Sequence, residues 1–174
     1  MTIKQTSLIV FGPYEIPHEK LAKGTSKQIT KENSKSFWDQ QEVEQVAMKQ
    51  GCYIFGLKVG KGFTPWYVGK ASKKFKQEAL HQTKLTHYNE VIFKGRKGKP
   101  VMFFVAKPSN LKKIPSKQIN DLEKFLIQSA YYKNPELKNK QNANQPDWGI
   151  VGVIRGGKGK ATMNAYQFKR MLNL

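Results

Sequence analysis

The chain has 174 residues, with 31 Lys and Arg against 12 Asp and Glu, for a formal charge of +19. That length supports one well-formed core and is short for two. A single cysteine excludes an internal disulfide, three scattered histidines give no zinc framework, and no apolar run reaches the length of a membrane span.

The charge is uneven. Residues 1–50 carry seven lysines and six acids, a charge of +1, whereas residues 51–174 carry 24 basic and six acidic residues, a charge of +18. A field of that size attracts polyanions, so nucleic acid is the expected partner, with a lysine-rich but partnerless surface as the alternative. Of the 31 basic residues 28 are lysines, which suits tracking a phosphate backbone better than reading guanine edges with a guanidinium fork. No basic segment followed by an apolar stretch opens the chain, and a reducing cytoplasmic compartment is expected.

In chain order, Ser7-Leu8-Ile9-Val10-Phe11 reads as a strand or extended arm ended by Gly12-Pro13. Residues 17–34 are polar and read as a loop or weak helix. Ser36 to Lys49 reads as one helix burying Phe37, Val43, Val46 and Ala47. Two strands follow, Gly51 to Leu57 and Pro65 to Lys70, joined by a turn rich in glycine and lysine. A helix is predicted from about Ser72 to Leu85, a buried strand over Pro100 to Ala106, and a helix from Ser116, taken as its N-cap, through Tyr131. The tail reads as a loop near Asn142 to Pro146, a strand from Trp148 to Ile154, a glycine turn and a helix from Thr162 to Leu172. Strands flanked by helices without βαβ alternation make the class α+β, with a small three-stranded antiparallel sheet. Residues 51–142 form the central domain, with 1–50 packing on it and 143–174 extending it.

The strands and the helix from Ser116 hold the candidate chemistry. Strand alternation puts Tyr53 and Phe55 on one face and Cys52 and Ile54 on the other. An antiparallel partner could bring Tyr67 onto the Tyr53 surface, although aromatics on strands are commonly packing residues. Cys52 reads as a small apolar core residue. On the helix, Ile119, Leu122, Leu126, Ile127 and Ala130 form an apolar stripe, and Glu123 lies four residues from both Ile119 and Ile127. A carboxylate pointing into such a stripe needs a lysine partner, a metal ion or a route to solvent.

Taken in order, Cys52-Tyr53-Ile54, Tyr67-Val68-Gly69-Lys70, Glu123 on its helix and Asn134-Pro135 through Asn139 resemble the GIY-YIG nucleases over roughly residues 51–142. The resemblance implies a metal-dependent endonuclease. Glu123 would bind Mg²⁺ or Mn²⁺, Tyr53 would orient or deprotonate the attacking water, and Tyr67 would bond the water or a phosphate oxygen. Lys70 would hold the phosphate and lower the tyrosine's pKa, while Asn139 would steady the loop or the metal's outer shell. The family's helix arginine is absent: counting from Gly69 reaches Gln77, or Glu78 with one inserted residue. Lys76 or Lys84 is expected to replace it as a point charge. On the predicted helix Gln77, His81 and Lys84 share one side, with His81 where relatives place a histidine or tyrosine, and His87 and Tyr88 just beyond. Lys73, Lys74, Lys76 and Asn139, with Arg155, Lys158 and Lys160 at the glycine turn, are the expected nucleic-acid contacts. The glycines there do not make a nucleotide-binding loop, so no nucleotide cofactor is expected. Three readings stand: a nuclease acting on nucleic acid, DNA being the expected substrate; an inert nucleic-acid-binding module of the same fold; and a basic structural protein.

Overall fold

The computed structural model describes residues 7–21, 26–108, 113–140, 150–153 and 161–172. Residues 1–143 form one compact unit and 144–174 a second.

The first unit is α+β, as predicted, but its sheet has four strands and not three. β1 (Ile9–Glu15), β4 (Gly51–Val59), β5 (Gly62–Ala71) and β6 (Lys99–Ala106) run antiparallel in the order β1-β6-β4-β5. The segment expected as a strand or arm is therefore a full partner of β6, with Ile9 opposite Ala106 and Glu15 opposite Val101. β4 and β5 pair from Gly51 opposite Ala71 to Val59 opposite Gly62, with a register shift at Phe55/Gly56. Pro65 stands opposite Gly56 there, and a residue lacking an N–H is tolerated because β5 is the edge strand.

Alternation then gives the sheet two buried faces. Tyr53, Phe55 and Leu57 of β4 join Met102 and Phe104 of β6 and Tyr67 of β5 in the main core. Cys52, Ile54 and Val68 face the other way, onto Ile119, Leu126, Ile127 and Ala130 of α5 (Ser116–Lys133). Each such fully buried aliphatic side chain contributes about 1.5–3 kcal/mol relative to leaving it in water.

Several predicted helices are reorganised. Residues 17–34 hold a two-stranded ladder, β2 (Glu19–Lys20) with β3 (Lys27–Gln28), and the start of α1 (Lys31–Trp38). α1 begins ahead of Ser36 because Thr30 and Asn33 form a reciprocal cap, each side chain accepting from the other's backbone N–H. The single helix expected to Lys49 breaks at Asp39-Gln40, and α2 (Gln41–Ala47) follows. The expected core residues Phe37, Val43, Val46 and Ala47 are all buried.

The helix expected from Ser72 to Leu85 is likewise two, α3 (Phe75–Glu78) and α4 (Gln82–Ile92). The break has a hydrogen-bond cause. Tyr88 Oη donates to the Ala79 carbonyl at 2.7 Å and Ser34 Oγ to the Leu80 carbonyl at 3.3 Å. Both carbonyls would otherwise serve a continuing helix. α5 starts at Ser116 itself; the cap position belongs to Pro115, with no side-chain cap, so Ser116 is not the N-cap.

The second unit contains a turn closed by Val153 N–H donating to Ile150 O at 3.0 Å, and α6 (Met163–Leu172). Of the strand predicted over 148–154, residues 148, 149 and 154 lie outside the described residues, and Val151 to Val153 form a turn and not a strand. No described helix is long and apolar enough to cross a membrane.

Candidate nucleic-acid-cleaving site at the open edge of the sheet

Edge strand β5 leaves one row of backbone groups without a strand partner, and the chain after α5 covers it. Asn134 Nδ2 donates to Pro65 O at 2.8 Å, Lys138 N–H to Trp66 O at 2.8 Å and Asn139 Nδ2 to Val68 O at 2.8 Å. Where this cover ends, next to the last residues of β5, a cleft of about 590 Å³ opens between α4 and α5. Its walls include Tyr67, Gly69, Lys70 and Ser72 from β5 and its exit, Glu78, Lys84 and His87 from the α3–α4 side, and Glu123 from α5. Lys138, Asn139 and Lys140 close it from the covering segment.

Two small networks meet there. In the first, Lys84 Nζ donates to the Tyr67 hydroxyl at 3.0 Å and stands 5.5 Å from the ring centre, while His87 stacks on Tyr67 at 5.6 Å. In the second, Lys70 Nζ pairs with Glu123 at 2.9 Å and donates to Asn120 Oδ1 at 3.0 Å. The Glu123 side chain is 17 % exposed and that of Lys70 39 %, so the pair stands at the mouth of the cleft, where its net contribution to stability is small. Of the explanations open for a carboxylate on an apolar stripe, a lysine partner is thus realised.

Five predicted site residues come together in the cleft: Tyr67, Lys70, Lys84, Glu123 and Asn139. Others do not. Tyr53 stacks on Tyr67 at 6.4 Å but is fully buried, with Phe75 edge-on to its ring and Gly69 beneath it. A Cβ at Gly69 would collide with the ring and hydroxyl of Tyr53, which is why a glycine is required in this tripeptide. The Tyr53 hydroxyl has no hydrogen-bond partner among the described residues. Burial, and then the neighbouring Tyr67, hold the Tyr53 phenol well above its ordinary pKa. The lowering expected from Lys70 is not found: after burial and Tyr67, the carboxylates of Glu78 and Glu123 also raise it.

His81 is exposed at the start of α4, its Nδ1 3.2 Å from Thr83 Oγ1, and lies outside the cleft wall. With the helix broken, Gln77, His81 and Lys84 no longer share one helical side, and His87 occupies the place expected of His81. Tyr88 is buried in the core. Lys73 and Lys76 are exposed beside α3, Lys74 is half-buried, and none lines the cleft. Arg155, Lys158 and Lys160 lie outside the described residues. No arginine lines the cleft among the described residues: Arg96 stacks over Trp66 at 4.3 Å and pairs with Glu136 at 3.3 Å, and Arg170 lies on α6. Cys52 is a core residue whose thiol burial pushes up to about 12.

Sequence reasoning passed over Ser72, Glu78, Lys138 and Lys140. Glu78 had been reached only as a failed arginine position, and the two lysines enter because the covering segment doubles back along β5, a tertiary event with no local signal. Among the described residues no cluster of three or more His, Cys, Asp or Glu side chains is placed to hold a metal ion. A Mg²⁺ ion that keeps most of its water takes one or two carboxylates together with substrate phosphates, and Glu123, lining the cleft, is the carboxylate that could supply such a ligand on leaving Lys70. Comparison with models of protein families, with curated proteins and with solved structures gives no match.

Proposed function

We propose that the protein is a metal-dependent nuclease that hydrolyses phosphodiester bonds in nucleic acid, with DNA as the expected substrate, at the cleft on the β5 edge. The observation that carries this reading is the convergence of Tyr67, Lys70, Lys84 and Glu123, from three separate elements, on one open and strongly basic cleft. Phosphodiester hydrolysis needs an oriented water, cations around the phosphate and relief of charge on the leaving oxygen. Tyr67, held by the Lys84 ammonium, is placed to orient the water, a role the resemblance gave to Tyr53. Lys84 and Lys70 act as point charges on the phosphate oxygens in place of an arginine fork. Glu123 would hold Mg²⁺ or Mn²⁺, which supplies polarisation of the phosphate and stabilisation of the departing oxygen. With Glu123 holding a metal, Lys70 would be released from the ion pair and would be free to bind a phosphate oxygen.

A second reading, an inert nucleic-acid-binding module, draws on the same pair. Glu123 is already neutralised by Lys70, Tyr53 is outside the cleft, and no arginine lines it. The two separate on Glu123→Gln and Lys70→Ala. For a nuclease, Glu123→Gln abolishes metal-dependent cleavage and leaves oligonucleotide binding within about threefold, while Lys70→Ala weakens both. For an inert module, no variant and no metal changes the covalent state of the substrate.

A further inference from the structure

A second concavity of about 480 Å³ lies on the outer side of α4, and Lys138 lines both it and the first. Its wall is mostly apolar, formed around Phe93, with Asn89 and Lys94 beside it. Phe93 is 57 % exposed, an unusual position for a phenyl ring at the end of a helix whose Leu85, Tyr88, Val91 and Ile92 are buried. Single exposed apolar residues are ordinary, but this one lies in a concave wall rimmed by lysines. The wall is also fixed. Asn89 accepts from Ile29 N–H at 2.8 Å and donates to Ile29 O at 3.0 Å, and Lys138 is held by Glu90 at 2.8 Å.

The two concavities share a path. His87 and Glu90 are one turn apart on α4, and Lys94 lies in the turn just past its end. His87 lines the first cleft, Lys94 the second, and Lys138 both. Glu90, the one acid on this path, is neutralised by Lys138.

We propose that the second concavity is a binding subsite for an unpaired nucleotide, its base stacked on Phe93 and its phosphate at Lys94. The inference rests on the nuclease or binding reading of the first cleft and deepens it. An aromatic ring flanked by cations holds a base through its π-face without choosing a sequence. A base inside a continuous duplex has no free face to offer. The substrate class is therefore nucleic acid carrying a single-stranded stretch beside the part held in the first cleft.

The test is fluorescence-anisotropy binding of the full chain to two DNA oligonucleotides, one a blunt duplex and one the same duplex with a three-nucleotide overhang. Wild type is expected to prefer the overhang. Phe93→Ala should reduce overhang affinity by about five- to a hundredfold and leave the blunt duplex within twofold. Phe93→Trp should retain the preference and show its indole fluorescence quenched by the overhang. Because Phe93 is exposed, both variants should keep the wild-type circular dichroism. Equal effects of Phe93→Ala on the two oligonucleotides, or none, with wild type still binding, would overturn the subsite alone. Wild type binding neither oligonucleotide at low salt would overturn the reading of the first cleft and the subsite with it.

Discussion

Tyr53 and Tyr67 stack on one another across adjacent strands and both are buried, yet Tyr67 borders the cleft and Tyr53 does not. Its hydroxyl accepts from an ammonium, while that of Tyr53 is enclosed and unpaired. A buried hydroxyl without a partner costs about 1–3 kcal/mol. Tyr53→Phe is thus expected to leave stability unchanged or raise it by up to about 1 kcal/mol in urea denaturation, with cleavage within a fewfold of wild type. On the nuclease reading, Tyr67→Phe removes the hydroxyl proposed to orient the water and is expected to lower the rate by about 100-fold or more. The reverse ranking would return the water-activating role to Tyr53. Strand alternation made the side shared by Tyr53 and Phe55 legible, as it did the placement of Cys52 and Ile54 opposite. It could not tell that α3 would lay Phe75 against Tyr53, since that depends on residues distant in the chain.

At the scale of elements, the site exists because an edge strand is covered by a short polar segment and not by another strand. Asn134 makes one of the three bonds of this cover and braces the segment: it is 7 % exposed, donates to Pro65 O and accepts from Glu136 N–H at 3.1 Å. Asn134→Ala leaves a carbonyl and an amide unpaired at the strand edge and is expected to cost about 1–3 kcal/mol in denaturant unfolding. Faster hydrogen exchange in β5 than in β4 should accompany it. A change below about 0.5 kcal/mol would show that water replaces these bonds freely. Apolar periodicity made α5 and β6 legible almost residue for residue. The split of the helix after β5 was not, because Tyr88 and Ser34 capture the Ala79 and Leu80 carbonyls through contacts only the folded chain supplies. That split moved His81 out of the site and His87 into it.

Across the whole molecule, class and charge were legible while the fourth strand was not, since an N-terminal apolar segment carries no mark of which edge it will join. Four lysines line the cleft, within a region of charge +18. Engagement of two to four phosphates by these lysines implies affinity falling about 10- to 100-fold between 50 and 200 mM salt. Affinity flat over that range would indicate a neutral partner. The central claim, turnover at this cleft, is tested most directly by incubating the folded wild type with plasmid and single-stranded DNA in Mg²⁺ or Mn²⁺, beside an EDTA control. New ends that form only with metal are the expected result. Salt-sensitive binding with intact substrate under both metals and on both substrates would contradict it and leave the inert module standing.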